Sequence, residues 1–152
     1  MTEHFSWQRF SELRNTDLYA LLKLRSEVFV VEQNCVFLDL DDHDQNSEHL
    51  LMHDAGGALI GYSRLLPPGE KYPECSIGRV VVPLSVRRSG AGRRLMAESI
   101  RGSRERFPRS PILIWAQQRL EGFYASFGFV TVSEPELEDG ILHVKMRLPP
   151  PG

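Results

Sequence analysis

Apolar and polar positions change rhythm several times along this chain, and each change marks an element. Phe5, Trp7 and Arg9 alternate with polar residues, the period of a short edge strand. Asn15 or Thr16 is then placed to cap a helix on which Leu18, Leu21, Leu22, Arg25, Val28 and Phe29 share one face. Residues 49–53 and 58–66 read as strands joined by Gly56-Gly57, a pair that tolerates the positive φ of a tight hairpin, and Pro67-Pro68-Gly69 ends the second. A further strand covers residues 74–82. The helix after it begins near Gly92, turns Leu95, Met96, Ser99 and Ile100 inward, and is stopped by Pro108. Residues 112–116 read as a buried strand, 117–127 as a short helix, 128–130 as a new strand, and 141–148 as the strand that closes the sheet.

This order predicts an α+β fold, a mostly antiparallel sheet with helices on both faces. No internal repeat or composition break marks a linker, so residues 1–148 read as a single domain and 149–152 as a flexible Pro-rich tail. A chain of 152 residues, 41% of them hydrophobic, can bury a core without metal or disulfide staples. With 18 basic and 20 acidic side chains its net charge is −2, which provides no global field to draw nucleic acid or an anionic membrane. Met1-Thr2-Glu3-His4 lacks a basic leader, and no apolar run approaches the ~20 residues of a membrane span, so a soluble, cytoplasmic protein is expected. Cys35 and Cys75 have neither paired spacing nor a secretory context, which argues against a disulfide framework or zinc knuckle.

The segment Arg87-Arg88-Ser89-Gly90-Ala91-Gly92 follows the apolar run from Ile77 to Val82 and precedes a helix. Its glycines let backbone N–H groups converge on an anion, and a helix start adds unpaired amides and a positive dipole end, so a pyrophosphate is the expected ligand. The spacing fits neither a Walker loop nor the dinucleotide fingerprint; what remains is R-x-x-G-x-G.

That pattern, carried by Arg87, Gly90 and Gly92, resembles the signature of the GNAT superfamily of acyl-CoA-dependent N-acyltransferases. Phe123-Tyr124-Ala125-Ser126-Phe127-Gly128-Phe129 resembles a second segment of the same superfamily. Leu24-Arg25, Val28 to Gln33, the Asp39, Asp41, Asp44 run, Arg64 to Pro67 and Ile77 to Val80 are similar to its ElaA-type branch. The resemblance spans roughly residues 5–147 and implies the GNAT fold, in which the strand before the glycine loop and the strand after the next helix splay apart to hold acyl-CoA. It implies that Val80, Val81 and Val82 bind the pantetheine arm through their backbones. Arg87, Arg88, Ser89, Gly90, Ala91, Gly92, Arg93 and Gln117 complete the implied cofactor site.

Acylating an amine with a thioester needs a deprotonated amine, a polarised carbonyl and a proton for the departing thiolate. Tyr124, four residues before Gly128, matches the superfamily's acid. For the base, Glu74, His143 and an ordered-water relay all stay open. Arg25, Arg64 and Arg79 lie in apolar patterns where a guanidinium needs an anion. They either bind an acidic group of the acceptor or pair internally with Glu27, Glu32, Asp39, Asp41 or Asp44. The acidic run departs from a calcium loop at Ser47 and His53, and the histidines have no zinc partner set, so no metal is expected. The arginines at 101, 104, 106 and 109 read as a solvated helix face, or as a seat for the 3′-phosphate of CoA.

The activity implied is transfer of an acetyl group from acetyl-CoA to a primary amine of a small molecule or peptide, by direct attack in a ternary complex. An acyl-homoserine-lactone-synthase-like acyltransferase and a non-catalytic acyl-CoA-binding module are the alternatives. A homodimer is compatible with the sequence; nucleic-acid and membrane partners are not expected.

Overall fold

The computed structural model describes residues 3–152; Met1 and Thr2, which belong to the expected domain and its leaderless start, lie outside the described residues. The strands are β1 (His4–Arg9), β2 (Glu48–His53), β3 (Leu59–Leu66), β4 (Cys75–Val81), β5 (Ile112–Gln117), β6 (Val130–Thr131), β7 (Glu136–Glu138) and β8 (Ile141–Leu148). The helices are α1 (Asn15–Arg25), α2 (Ala91–Arg106) and α3 (Glu121–Ala125). One sheet runs β1-β2-β3-β4-β5-β8-β6, with β7 also on β8; every pairing is antiparallel except β4 with β5. The fold is therefore the expected α+β arrangement. No described helix is long and apolar enough to cross a membrane.

Strand alternation delivers core residues to both faces of the sheet. On β2, Leu51 packs with Leu21, Leu24 and Val28 of the α1 side, while Leu50 and Met52 pack with Ala91 and Leu95 of α2. The largest cluster joins Ile77, Met96, Ile100, Ile112, Ile114, Tyr124, Phe129, Val144 and Met146 beneath α2 and α3. Gly102 lets α2 approach the sheet. A Cβ there would lie 2.1 Å from the Trp7 ring.

Several boundaries differ from those read off the sequence. The N-cap position of α1 is Arg14, and neither Asn15 nor Thr16 caps it; Asp17 in the first turn pairs instead with Arg14 at 3.1 Å. The α1 face continues into a π-helical turn, Ser26–Glu32, whose last bonds reach back five residues: Gln33 N to Val28 O at 3.1 Å and Cys35 N to Val30 O at 2.9 Å. Gln117 ends β5 rather than starting a helix. Strand β6 begins after Gly128 (φ 102°) and the buried Phe129 have turned the chain out of α3. Strand β8 does not close the sheet: it lies between β5 and β6 and bears the β7 hairpin, which turns at Asp139 (φ 54°) and Gly140 (φ 78°).

Candidate active site

Strands β4 and β5 pair only at Cys75–Ile112 and Ser76–Leu113, and beyond these two rungs they separate. A cleft of about 570 Å³ opens there, lined by Val80, Val81, Val82 and Gly92 on one side and by Ile114, Trp115, Gln117, Tyr124 and His143 on the other. A bulge deepens it. Register moves from Tyr62–Val81 to Arg64–Gly78, so an extra β4 residue is accommodated, Arg79 adopts φ 51°, and Arg79 and Val80 leave the pairing ladder.

Arg87 and Gly92 of the glycine loop line this cleft. Gly90 (φ 85°) is the N-cap of α2, a conformation that favours glycine, and the Ser89 Oγ accepts from the Ala91 N–H at 3.3 Å. Arg94 N closes the first helical bond to Gly90 O at 3.1 Å, which leaves the N–H groups of Gly92 and Arg93 without an acceptor among the described residues. A Cβ at Gly92 would meet no heavy atom within 4 Å. Free amides beside an open space fit the phosphates of an acyl-CoA.

The loop's arginines serve it differently. Arg87 lines the cleft, but its guanidinium holds Glu32 (Nη2 to Oε1, 3.0 Å) and the Val82 carbonyl (3.1 Å), bracing the loop against the π-helical turn. Arg93 bonds Ser126 at 3.0 Å and lies 4.6 Å from the Phe127 ring centre. Arg88 is exposed and has no ion-pair partner among the described residues. Gln117 donates to Gln33 at 3.2 Å.

Two of the residues expected to carry chemistry come together here. Tyr124 lines the cleft and is 8% exposed, and burial pushes its phenol up to about 12, with Arg119 opposing in part. His143 lines it too, its ring stacked on Trp115 at 5.4 Å and 13°. Because a carbonyl only accepts, the 2.8 Å contact from Nδ1 to Ile141 O places the proton on Nδ1 and leaves a lone pair on Nε2 in the neutral ring. Glu74 is a correction. It does not line the cleft, and its carboxylate is held by Arg147 at 3.0 Å on the closed side of the strand pair.

The three arginines pair internally. Arg64 forks onto Asp41 through two 2.7 Å bonds and touches Asp44 at 3.0 Å; Arg25 reaches Asp39 at 2.6 Å and Asp44 at 2.8 Å; Arg79 reaches Asp39 at 2.9 Å and Asp41 at 3.3 Å. Burial alone would raise the carboxyls of Asp41 and Asp44, but Arg64 with Arg79, and Arg25 with Arg64, hold them below the usual carboxylate range. Arg25 is fully enclosed and does not line the cleft, so it has no face left for an acceptor. Arg64 and Arg79 do line it. Behind the cluster His49 donates from Nε2 to Asp44 O at 2.9 Å and accepts at Nδ1 from the Tyr62 hydroxyl at 2.6 Å.

A profile described as "Acetyltransferase (GNAT) domain" matches residues 28–149. The chain belongs to the GNAT acetyltransferase family. Among its relatives is a UPF0039 protein of Synechocystis, 42% identical over 154 residues that cover 100% of both chains. Protein ElaA of Escherichia coli is 38% identical over 143 residues, 92% of this chain and 94% of that one. An acyl-CoA N-acyltransferase from Pseudomonas aeruginosa superposes with a TM-score of 0.91 at 36% identity, covering 97% of this chain and 99% of that one.

This GNAT cleft also holds residues that the sequence reading passed over: Lys71, Tyr72, Trp115 and Glu138. Trp115 donates its indole N–H to the Glu138 carboxylate, and burial, helped by Glu138, raises the Tyr72 phenol. One signal was available. Asp139-Gly140 is a strong hairpin dipeptide, and reading it would have brought Glu138 back beside β8. The arginines at 101 and 106 are spent on Glu98, Glu105 and Glu48, the solvated-face reading of that stretch.

Proposed function

We propose that this GNAT chain is an acetyl-CoA-dependent N-acetyltransferase in which a primary amine attacks directly within a ternary complex. The carrying observation is the wedge between β4 and β5, which runs from the free amides at Gly92 to Tyr124 and His143. Acyl-CoA, when bound, supplies an acyl group activated as a thioester. Backbone groups of Val80, Val81 and Val82 hold its arm, and the bulge at Arg79 and Val80 frees main-chain polar groups to polarise a carbonyl. His143 Nε2 receives the proton of the incoming amine, while Trp115 and the Ile141 carbonyl fix the ring plane and tautomer.

Tyr124 acts at the sulfur. A phenol pushed up to about 12 stays protonated at neutral pH. A thiol titrates near about 8.5, so complete proton transfer from Tyr124 would be uphill by roughly 5 kcal/mol. The hydroxyl therefore serves as a hydrogen-bond donor that stabilises charge on the departing sulfur. Following free thiol from acetyl-CoA across a panel of amines tests the activity. Tyr124→Phe keeps the ring's packing and should lower kcat by ~10²-fold while retaining acetyl-CoA affinity, a loss in the usual range for such donors. His143→Gln should lower kcat/KM by ~10²-fold or more while retaining acetyl-CoA affinity. Turnover by Tyr124→Phe within a few-fold of the parent, with chemistry rate-limiting, would remove Tyr124 from the mechanism.

A further inference from the structure

Charges around the acceptor side of the cleft divide into spent and free. Asp39, Asp41 and Asp44 are matched against Arg25, Arg64 and Arg79, three against three, so the cluster presents almost no net charge to a ligand. Three guanidinium nitrogens of the cluster make no hydrogen bond among the described residues. Arg64 Nε and Arg79 Nε are buried, the latter in ion-pair contact with Asp39 at 2.9 Å. Arg79 Nη1, by contrast, is not enclosed, and Nη2 engages the Asp39 carbonyl and Asp41. The Arg79 side chain is 27% exposed and lines the cleft. Lys71 lines the same side, and its Nζ lies 5.6 Å from the Tyr72 ring centre; Lys145 approaches that ring to 5.7 Å. Neither lysine has an ion-pair partner among the described residues. Two acids line the same cleft: Glu138 accepts from the Trp115 indole N–H, and Asp139 has no ion-pair partner among the described residues. Arg79 Nη1 and Lys71 thus offer a carboxylate two donors in the cleft lining, with Lys145 near Tyr72 but outside that lining. Phe37, Leu38, Leu66, Tyr72 and Trp115 add apolar and aromatic surface.

Resting on the acyltransfer reading above, we propose that the acceptor is an amine of the amino-acid class, an apolar amino acid or short peptide whose carboxylate is held by Arg79 Nη1 and Lys71. Its side chain lies against Phe37 and Tyr72, and its amine is presented to His143. Charge-assisted bonds of this kind favour an acceptor with a carboxylate over its neutral amide by tenfold or more.

The experiment uses phenylalanine, leucine and leucyl-phenylalanine, each beside its C-terminal amide, with acetyl-CoA and thiol detection. A binding pair, N-acetylphenylalanine and N-acetylphenylalaninamide titrated calorimetrically in the presence of CoA, gives a readout independent of turnover. The carboxylates should exceed their amides by at least about tenfold in kcat/KM, chiefly through KM, and N-acetylphenylalanine should bind about tenfold more tightly than its amide. Lys71→Met should shrink both ratios to within about threefold. Amides that match their acids, or a ratio untouched in Lys71→Met, would overturn the acceptor assignment and leave acyl transfer standing. Discrimination between the two binding probes with no thiol release from any amine would overturn acyl transfer and leave the carboxylate site standing.

Discussion

Replacing Gly92 by alanine adds one methyl group at the second residue of α2, where fold and ligand make opposite demands. The fold leaves room for it, because a Cβ at Gly92 meets nothing within 4 Å and the residue has no positive φ to relieve. Glycine in a helix is worse than alanine by up to about 1 kcal/mol, so the substitution should stabilise the chain, raising Tm by roughly 2–4 °C in a domain of this size. The ligand does not leave room. If phosphates of CoA approach the N–H groups of Gly92 and Arg93, the methyl sits in their path and removes at least one charge-assisted hydrogen bond, about 1.5–3 kcal/mol. Affinity for CoA should then fall by roughly 10- to 150-fold. Calorimetric titration with CoA, alongside a thermal melt, reads both effects on one protein. Gly122→Ala in α3 is the control: it too meets nothing within 4 Å, but it does not line the cleft, so CoA affinity should hold. Unchanged CoA affinity in Gly92→Ala would place the phosphates elsewhere, and a lowered Tm would show that the space at Gly92 serves the fold.

Further outcomes follow from the core and the ion cluster. Arg25→Met strands part of Asp39 and Asp44, which keep Arg79 and Arg64, so the loss should lie near about 3 kcal/mol, roughly 6–12 °C in Tm; an unchanged melt would make the cluster dispensable. Gly102→Ala drives a methyl into Trp7, which is pinned by Glu98 at 2.8 Å, and should cost about 1–3 kcal/mol by urea titration, whereas a neutral effect would mean that α2 can lift freely. Stability should fall on acidification in two stages. Burial lowers the pKa of His49, so below about 6.5 the unfolded chain takes up a proton that the fold does not, and stability declines at up to about 1.4 kcal/mol per pH unit. The contributions of Asp41 and Asp44 are complete above about 3.9 and are lost as pH falls toward their lowered native values. His49→Gln should abolish the first stage only; a slope that persists between pH 6.5 and 5 would assign it to another group.

The sequence by itself determined most of the elements and the glycine loop beside the cleft. Alternation along residues 49–53 and 58–66, and the period that turns Leu95, Met96 and Ile100 inward, are set by neighbours within a few residues, and the fold honours them. The Arg87–Gly92 loop was legible for the same reason: its glycine at φ 85° and the unpaired amides after it are consequences of local backbone geometry. The resemblance of residues 123–129 to the superfamily segment had singled out Tyr124, which the fold places on the cleft wall. Tertiary structure alone decided how charges were spent. Arg25, Arg64 and Arg79 each had several acidic partners within reach of the sequence, and the packing of residues 39–44 against β3 and β4 selected Asp39, Asp41 and Asp44. It also separated the two side-chain candidates for the base, carrying Glu74 to Arg147 and His143 to the cleft wall beside Trp115. Periodicity specifies which face a side chain occupies, because that is fixed by the backbone's own repeat. An ion's partner depends on which distant loop arrives beside it, and desolvation makes that choice costly to leave unmade.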